Sequence, residues 1–186
     1  MRIIAGSARG RKFDAPKGMD TRPTLDRVKE AMFGMIQFDL PGSRILDLFS
    51  GSGNLGLEAA SRGARQVLCN DHARDCALQI RQNVALLGFE GIVTVTQLDY
   101  ADCIQRLNDT AQIFDFAFLD APYREGIAQK AAELLFRCGR IREGGRIFLE
   151  HAAQIQPVVD ERVAYAVETR RYGTCAFTIY EEAARR

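Results

Sequence analysis

A glycine-rich motif in the first half of the chain has the composition of a ligand-binding turn. Gly51-Ser52-Gly53-Asn54-Leu55-Gly56 matches the pattern G-x-G-x-x-G, and Asp71 follows twenty residues after its first glycine. Glycines let the backbone approach a ligand closely, and a carboxylate at that distance can accept hydrogen bonds from a ribose. A dinucleotide is therefore the first ligand to test.

Asp47 stands four residues before the first glycine and changes the ligand that this turn favours. Its carboxylate would repel a pyrophosphate, whereas it would attract a cationic amino-acid group. S-adenosylmethionine fits, with a sulfonium and an ammonium for Asp47, a ribose for Asp71 and an adenine amino group for Asp99. A solvated loop acid is the alternative for each carboxylate taken singly. The predicted cofactor-binding residues are Asp47, Phe49, Gly51, Gly53, Gly56, Asp71 and Asp99.

The segment Asp120-Ala121-Pro122-Tyr123 has the groups needed to hold a planar base by its amino group. A carboxylate and a backbone carbonyl can accept both amino hydrogens, so that the nitrogen lone pair faces a methyl donor. The tyrosine ring can stack on the base. An ordinary turn at the end of a strand is the structural alternative. We predict that Asp120, Ala121, Pro122 and Tyr123 form the catalytic segment.

The amino-terminal part of the chain is basic, although the whole protein has a formal net charge of +1. Residues 1–29 contain eight basic and three acidic side chains, a net charge of +5. Such a segment suits a partner rich in phosphate, and a solvated basic edge without a partner is the alternative. We predict that Arg9, Arg11 and Lys12 contact RNA.

The composition is that of an ordinary globular protein. Of the 186 residues, 47% are hydrophobic and 26% are charged. A chain of this length and hydrophobic content can bury a core without a structural metal or disulfide bonds. No stretch reaches the ~18 consecutive apolar residues of a membrane span, and the first residues do not resemble a secretory signal. We therefore expect a cytoplasmic protein that has no membrane partner and acts as a monomer.

The five cysteines favour reduced thiols over a disulfide framework, because they are odd in number and scattered. Cys69, His72 and Cys76 lie close enough in sequence to suggest a metal site. A structural zinc site needs a fourth ligand, and the sequence shows no second ligand pair. We therefore predict that the protein needs no metal.

Hydrophobic periodicity predicts the elements that must position these residues. A hairpin is predicted around residues 7–10, and Thr24 is predicted to cap a helix. From residue 44 onward, strands and helices alternate. Strands are predicted at 44–49, 66–69, 92–98, 114–119 and 146–149, helices at 55–62, 73–87, 101–107 and 127–138, and a closing hairpin at 163–170 and 174–180.

This alternation predicts an α/β fold of the Rossmann-like type: a doubly wound, mostly parallel sheet with an antiparallel edge from the closing hairpin. Ligands of such sheets bind beyond the carboxyl ends of the strands, where Asp47, Asp71, Asp99 and Asp120 fall. We expect residues 1–40 to form a basic, RNA-binding extension of hairpin and helix. Residues 41–186 would form the catalytic domain.

Three motifs, in this order, resemble the RsmD family. They are Arg22-Pro23-Thr24 before a helix, the segment from Asp47 through the glycine turn to Ala59, and Asp120-Ala121-Pro122-Tyr123. The resemblance covers nearly the whole chain. It implies a class I methyltransferase that uses S-adenosylmethionine to modify the N2 of a guanine in small-subunit ribosomal RNA. It also implies that ribosomal RNA or the small ribosomal subunit is the partner, and that Arg22 and Thr24 contact RNA.

One position departs from the family pattern. Related motifs usually read Asp-Pro-Pro-Tyr or Asn-Pro-Pro-Tyr, and Ala121 replaces the first proline. The Ala121 carbonyl is retained, and Pro122 still favours an extended conformation at Ala121. Asp120 would then orient the amino group during methyl transfer. Methylation of adenine N6 in DNA or RNA, and RNA binding by a decayed site without catalysis, remain as alternatives.

Overall fold

The computed structural model describes residues 1–16, 23–121 and 126–183, without the side chains of residues 23–25. Five helices and seven strands lie within these ranges. The helices are α1 (Pro23–Met35), α2 (Asn54–Ser61), α3 (Arg74–Leu87), α4 (Tyr100–Asp109) and α5 (Ile127–Arg137). The strands are β1 (Arg44–Asp47), β2 (Gln66–Asn70), β3 (Val93–Thr96), β4 (Phe114–Leu119), β5 (Ile141–Ala152), β6 (Ala164–Tyr172) and β7 (Cys175–Glu182).

The strands of the described residues form one sheet in the order β3-β2-β1-β4-β5-β7-β6. The first five strands in this order pair in parallel. β7 pairs antiparallel with β5 on one side and with β6 on the other. The predicted mostly parallel sheet with an antiparallel closing hairpin is therefore confirmed.

Several predicted elements differ from the structure at their ends, and two of the differences have a clear physical reason. α1 begins at Pro23, so Thr24 lies in its first turn and does not precede it. Proline is favoured at the first helical position because its fixed φ suits the helix and its missing N–H has no partner there. β5 is longer than predicted and begins at Ile141, because Phe114 pairs with Ile141 before a register shift in the ladder.

The amino-terminal residues 1–16 pair through a single antiparallel bridge between Arg2 and Lys12, rather than through two longer strands. The Ile3 N–H donates to the Arg11 carbonyl over 3.0 Å, which closes the predicted hairpin. Ile3 and Phe13 are buried in the same hydrophobic cluster as α1, α2 and β1. The basic segment is thus fastened to the sheet by apolar contacts.

Apolar side chains cover both faces of the sheet. One cluster packs α1, α2 and α3 on the first face, and a second packs α4 and α5 on the other. Phe33, Phe118, Phe148 and Phe177 form a row through the first cluster, with successive ring centroids 5.2, 5.5 and 6.0 Å apart. No helix among the described residues is both long and apolar enough to cross a membrane.

Glu58 joins α2 to α1 and to the amino-terminal residues. Its carboxylate is fully buried and lies 3.2 Å from the equally buried Lys29 ammonium. The backbone N–H groups of Ile4 and Ala5 donate to it over 2.8 and 3.0 Å, and Arg62 donates over 2.7 Å. Burial lowers the pKa of Lys29, and Glu58 opposes this shift by stabilising the charged form. Both oxygens of the Glu58 carboxylate therefore accept hydrogen bonds that stabilise the fold.

Gly56 allows α2 to lie unusually close to the sheet. A Cβ atom at this position would overlap the Sγ atom of Cys69 and lie 3.2 Å from Oδ2 of Asp47. Gly34, in α1, is also helical, but a Cβ atom there would meet nothing within 4 Å. The two glycines offer a matched comparison.

We expect Gly56→Ala to lower the free energy of unfolding by about 1–3 kcal/mol, because the added methyl group overpacks the helix against β2. Gly34→Ala should raise it by about 0.5–1 kcal/mol, because alanine restricts the unfolded chain and prefers the helix. Urea unfolding of both variants measures these changes. Equal stabilisation by both substitutions would contradict the close contact at Gly56.

Candidate active site

A cavity of about 460 Å³ lies at the carboxyl ends of β1, β2, β4 and β5. Four acidic side chains at or near the carboxyl ends of these strands line it: Asp47, Asp71, Asp120 and Glu150. Parallel pairing brings the ends of neighbouring strands to one edge of the sheet, which explains why acids distant in sequence meet here. Three of them, Asp47, Asp71 and Asp120, were predicted for the site from the sequence.

Asp47 is the last residue of β1 and is 1% exposed. Oδ2 of its carboxylate accepts the backbone N–H of Gly56 over 2.9 Å, and the Ser50 hydroxyl donates to its carbonyl over 2.7 Å. Oδ1 has no hydrogen-bond partner among the described residues. A buried oxygen without a donor is costly, so a ligand that donates a hydrogen bond here would be favoured.

Burial in the cavity disfavours the charged forms of Asp47 and Asp120. Burial, together with the nearby acids Asp120 and Asp71, raises the pKa of Asp47 to about 7, although the hydrogen bond from Gly56 opposes this shift. Burial also raises the pKa of Asp120. A cationic ligand would lower both pKa values, because it stabilises the ionised carboxylates. The site is thus suited to a ligand that carries positive charge.

Asp71 follows β2 and holds the glycine turn. Its Oδ2 accepts the backbone N–H of Gly51 over 2.8 Å, and its Oδ1 accepts that of Ala73 over 2.9 Å. Each oxygen keeps a further lone pair, so the carboxylate can also accept from a ligand hydroxyl. Gly51 lines the cavity with Asp71. Gly53 and Gly56 do not belong to the described lining of the cavity. They shape the first turn of α2 instead.

Asp99 and Phe49 occupy different positions relative to the cavity. Phe49 lines it, and the Phe49 ring centroid lies 5.8 Å from that of Tyr100. Asp99 is exposed, falls outside the described lining, and caps α4 by accepting the Ala101 N–H over 2.9 Å. Its predicted contact with an adenine stays a prediction.

The predicted catalytic segment begins directly after β4. Asp120 and Ala121 line the cavity, with Asp120 partly buried and Ala121 3% exposed. Pro122 and Tyr123 fall in residues 122–125, which lie outside the described residues. Asp120 and Asp47 therefore share one cavity.

Lys29 and Glu150 line the cavity as well, although the sequence analysis did not identify them. The rule that found Asp120 also applies to Glu150, since both acids follow an apolar stretch of strand. Lys29 lies on α1 beside the buried residues Val28 and Met32, and it is itself 1% exposed. Its ammonium donates to Oδ1 of Asn54 over 2.7 Å and to the Arg2 carbonyl over 3.1 Å.

The residues predicted to contact RNA are only partly described. Arg9, Arg11 and Lys12 are exposed. The Arg11 guanidinium donates to the Leu87 carbonyl over 2.9 Å and to the Leu86 carbonyl, and so caps the carboxyl end of α3. Arg22 lies outside the described residues, and the side chain of Thr24 is not described.

The suggested metal ligands lie in different surroundings. Cys69 is fully buried beside Gly56, whereas the side chain of His72 is 76% exposed and lies 3.5 Å from Asp71. The described residues contain no group of three or more His, Cys, Asp or Glu that could hold a metal ion.

The sheet order, the glycine turn before α2 and the acids at the strand ends define a class I methyltransferase fold. Among solved structures, yhhF from Escherichia coli superposes with a TM-score of 0.86 at 28% sequence identity. The match covers 100% of this chain and 99% of that chain.

Residues 1–181 match the family described as Conserved hypothetical protein 95, and the chain belongs to this family, as the RsmD resemblance predicted. YlbH of Bacillus subtilis is 34% identical over 184 residues, which cover 98% of this chain and 99% of YlbH. Ribosomal RNA small subunit methyltransferase D of Haemophilus influenzae is 30% identical over 185 residues, which cover 97% of this chain and 93% of that protein.

We expect the free energy of unfolding of Asp47→Asn, relative to that of the wild-type protein, to be higher at pH 8 than at pH 5. The folded pKa of about 7 lies above the ordinary value of 3.8, so the wild-type protein loses stability as the pH rises from about 4 to about 7. The uncharged variant escapes this loss, which is on the order of 3 kcal/mol between pH 5 and pH 8.

Chemical unfolding of both proteins without ligand, at the two pH values, measures the change. Asp39→Asn serves as the control, because Asp39 is exposed in the turn after α1. Its effect should stay within about 0.5 kcal/mol at either pH. A stability difference between wild type and Asp47→Asn that does not change with pH would show that Asp47 ionises normally.

Proposed function

We propose that this protein transfers a methyl group from S-adenosylmethionine to the exocyclic N2 of a guanine in small-subunit ribosomal RNA. The observation that carries the proposal is the shared cavity of Asp47 and Asp120, which places a cation-seeking carboxylate beside an acceptor for an amino group. The relative named Ribosomal RNA small subunit methyltransferase D matches 97% of the chain, which supports this RNA as the substrate.

The residues of the cavity fit S-adenosylmethionine. Oδ1 of Asp47 can accept a hydrogen bond from the cofactor ammonium, and its charge complements the sulfonium. Asp71 can accept from the ribose hydroxyls while it holds the Gly51 N–H. Phe49 offers an apolar face for the adenine ring. We also assign Asp99 to the adenine amino group, with Gly53 and Gly56 shaping the turn around the cofactor.

Bound S-adenosylmethionine supplies a methyl group on a sulfonium that leaves as a neutral thioether. Asp120 accepts one hydrogen of the guanine amino group, and the Ala121 carbonyl accepts the other. This geometry turns the nitrogen lone pair toward the methyl group for in-line displacement. Methyl transfer would then form the N–CH3 bond as the S–CH3 bond breaks. The surplus amino proton would pass to the Asp120 carboxylate and then to water.

The amino-terminal segment is assigned to the RNA. Arg9 and Lys12 are exposed and can approach phosphates, together with Arg22 and Thr24. Residues 1–40 would act as the RNA-binding extension and residues 41–186 as the catalytic domain, with Pro122 and Tyr123 completing the base site. The protein would act where small ribosomal subunits are assembled, in the cytoplasm.

Incubation with S-adenosylmethionine and small subunits, or their RNA, from cells that lack the gene should yield N2-methylguanosine. Asp120→Ala should lower turnover by roughly 10² or more, because it removes a preorganised acceptor, while S-adenosylhomocysteine binding stays near the wild-type value. Single-turnover assays and calorimetry measure the two quantities. Asp102→Ala, at an exposed acid of α4, is the control.

Nucleoside mass spectrometry separates the alternatives. N6-methyladenosine as the product would replace guanine with adenine as the target. Binding of RNA without any methylated product would favour the non-catalytic alternative. Full activity in Asp120→Ala would remove Asp120 from the proposed mechanism.

Arg9→Ala with Lys12→Ala should weaken binding of small-subunit RNA and make it less dependent on salt. Each phosphate contact that is lost should reduce the log–log salt slope by roughly one. Arg44→Ala with Arg65→Ala is the matched control, because both arginines are exposed at the opposite, amino edge of the sheet. Filter binding at several salt concentrations measures the slopes. Equal losses in both pairs would indicate a general effect of charge.

A further inference from the structure

Guanine and adenine both carry an exocyclic amino group, so Asp120 alone does not select between them. The two bases differ in the ring nitrogen beside that group. Guanine has a donor, N1–H, next to its amino group, whereas adenine has the unprotonated acceptor N1. An acceptor on the protein at this position would attract guanine and repel adenine.

Glu150 lies beside Asp120 at the same edge of the sheet. Leu119 of β4 pairs with Leu149 of β5, so the next residues of these parallel strands, Asp120 and Glu150, are neighbours. Glu150 is 7% exposed and lines the cavity together with Asp120 and Ala121. Its carboxylate is therefore held within the region where the target amino group must lie.

A smaller recess adjoins the cavity on the side of Glu150. Ala121 and Glu150 belong to the lining of both, and the recess is completed by residues that include Gln129 of α5 and Ala152 of β5. Glu150 thus stands between the proposed cofactor space and a second space. Of the two neighbouring acids, Asp120 borders the larger cavity, whereas Glu150 borders both spaces.

His151, the next residue of β5, already has partners for both ring nitrogens. Nδ1 lies 3.0 Å from the Ala152 carbonyl, and Nε2 lies 2.9 Å from Oγ1 of Thr178. Side chains alternate along a strand, so His151 and Glu150 point to opposite faces. Of this pair, Glu150 is the residue that lines the cavity together with Asp120.

We propose that Glu150 selects guanine by accepting a hydrogen bond from its N1–H, beside the amino group that Asp120 orients. The inference rests on the proposed function and assigns a specificity-determining residue to it. Asp120 positions the reacting nitrogen, and Glu150 recognises the ring atom that distinguishes the base. No group is transferred to Glu150.

The test uses a short RNA that contains the guanine methylated by the wild-type protein and the same RNA with 2-aminopurine at that position. 2-Aminopurine keeps the amino group but lacks N1–H. Wild type should methylate guanine roughly 10-fold to 100-fold more efficiently, as expected for one base-edge contact. Glu150→Ala should lose most of this preference. Glu150→Gln should retain part of it, because its amide oxygen still accepts a hydrogen bond.

Glu143→Ala is the matched control, since Glu143 is an exposed acid of the same strand. The thermal shift with S-adenosylhomocysteine should be unchanged in Glu150→Ala, which separates base selection from damage to the cofactor site. Equal losses on both RNAs would assign Glu150 a purely structural role and overturn the inference. Equal methylation of both RNAs by wild type would also overturn it, while the proposed function would stand. Absence of guanine methylation by wild type would overturn both.

Discussion

The close approach of α2 to the sheet sets the geometry of the whole site. Gly56 makes it possible, because a side chain there would overlap Cys69 of β2. At this short distance the Gly56 N–H reaches one oxygen of Asp47, which fixes the carboxylate with its other oxygen unpartnered among the described residues. Two residues later, Glu58 binds the amino-terminal backbone and Lys29. One short helix therefore positions both the cation-seeking acid and the segment assigned to RNA.

Glu58 and Asp47 show how burial leads to opposite roles. Glu58 is surrounded by backbone donors, an arginine and a lysine, so its charge is compensated within the fold. Asp47 has the Gly56 N–H and faces other acids, so its ionised form is disfavoured until a cation arrives. Removing a partner from a compensated buried ion leaves an uncompensated charge, which is expensive. The first carboxylate stabilises the fold, whereas the second is suited to a ligand.

Much of the fold and part of the site could be predicted from the sequence. Apolar strands that end in Asp47, Asp71 and Asp120 were recognisable, and parallel pairing required their ends to meet. Glu150 directly follows the predicted strand at 146–149 and obeys the same rule, but it was missed because no glycine turn or recognisable motif comes after it. Lys29 was missed because helical spacing does not show which charge is buried against Glu58. The cap that Arg11 provides for α3 depends on a contact across 76 residues, which local patterns do not contain.

The interior position of β7 has a consequence for biosynthesis. β7 follows all the other described strands in the chain, yet it lies between β5 and β6. As the chain is synthesised from its amino end, the edge of β5 that pairs with β7 has no neighbour until residues up to Glu182 have been made. An unpaired edge of this kind invites pairing with other chains. The parallel half can form early, but the antiparallel side of the sheet must be completed last, so premature termination would leave β5 with an unpaired edge beside the candidate active site.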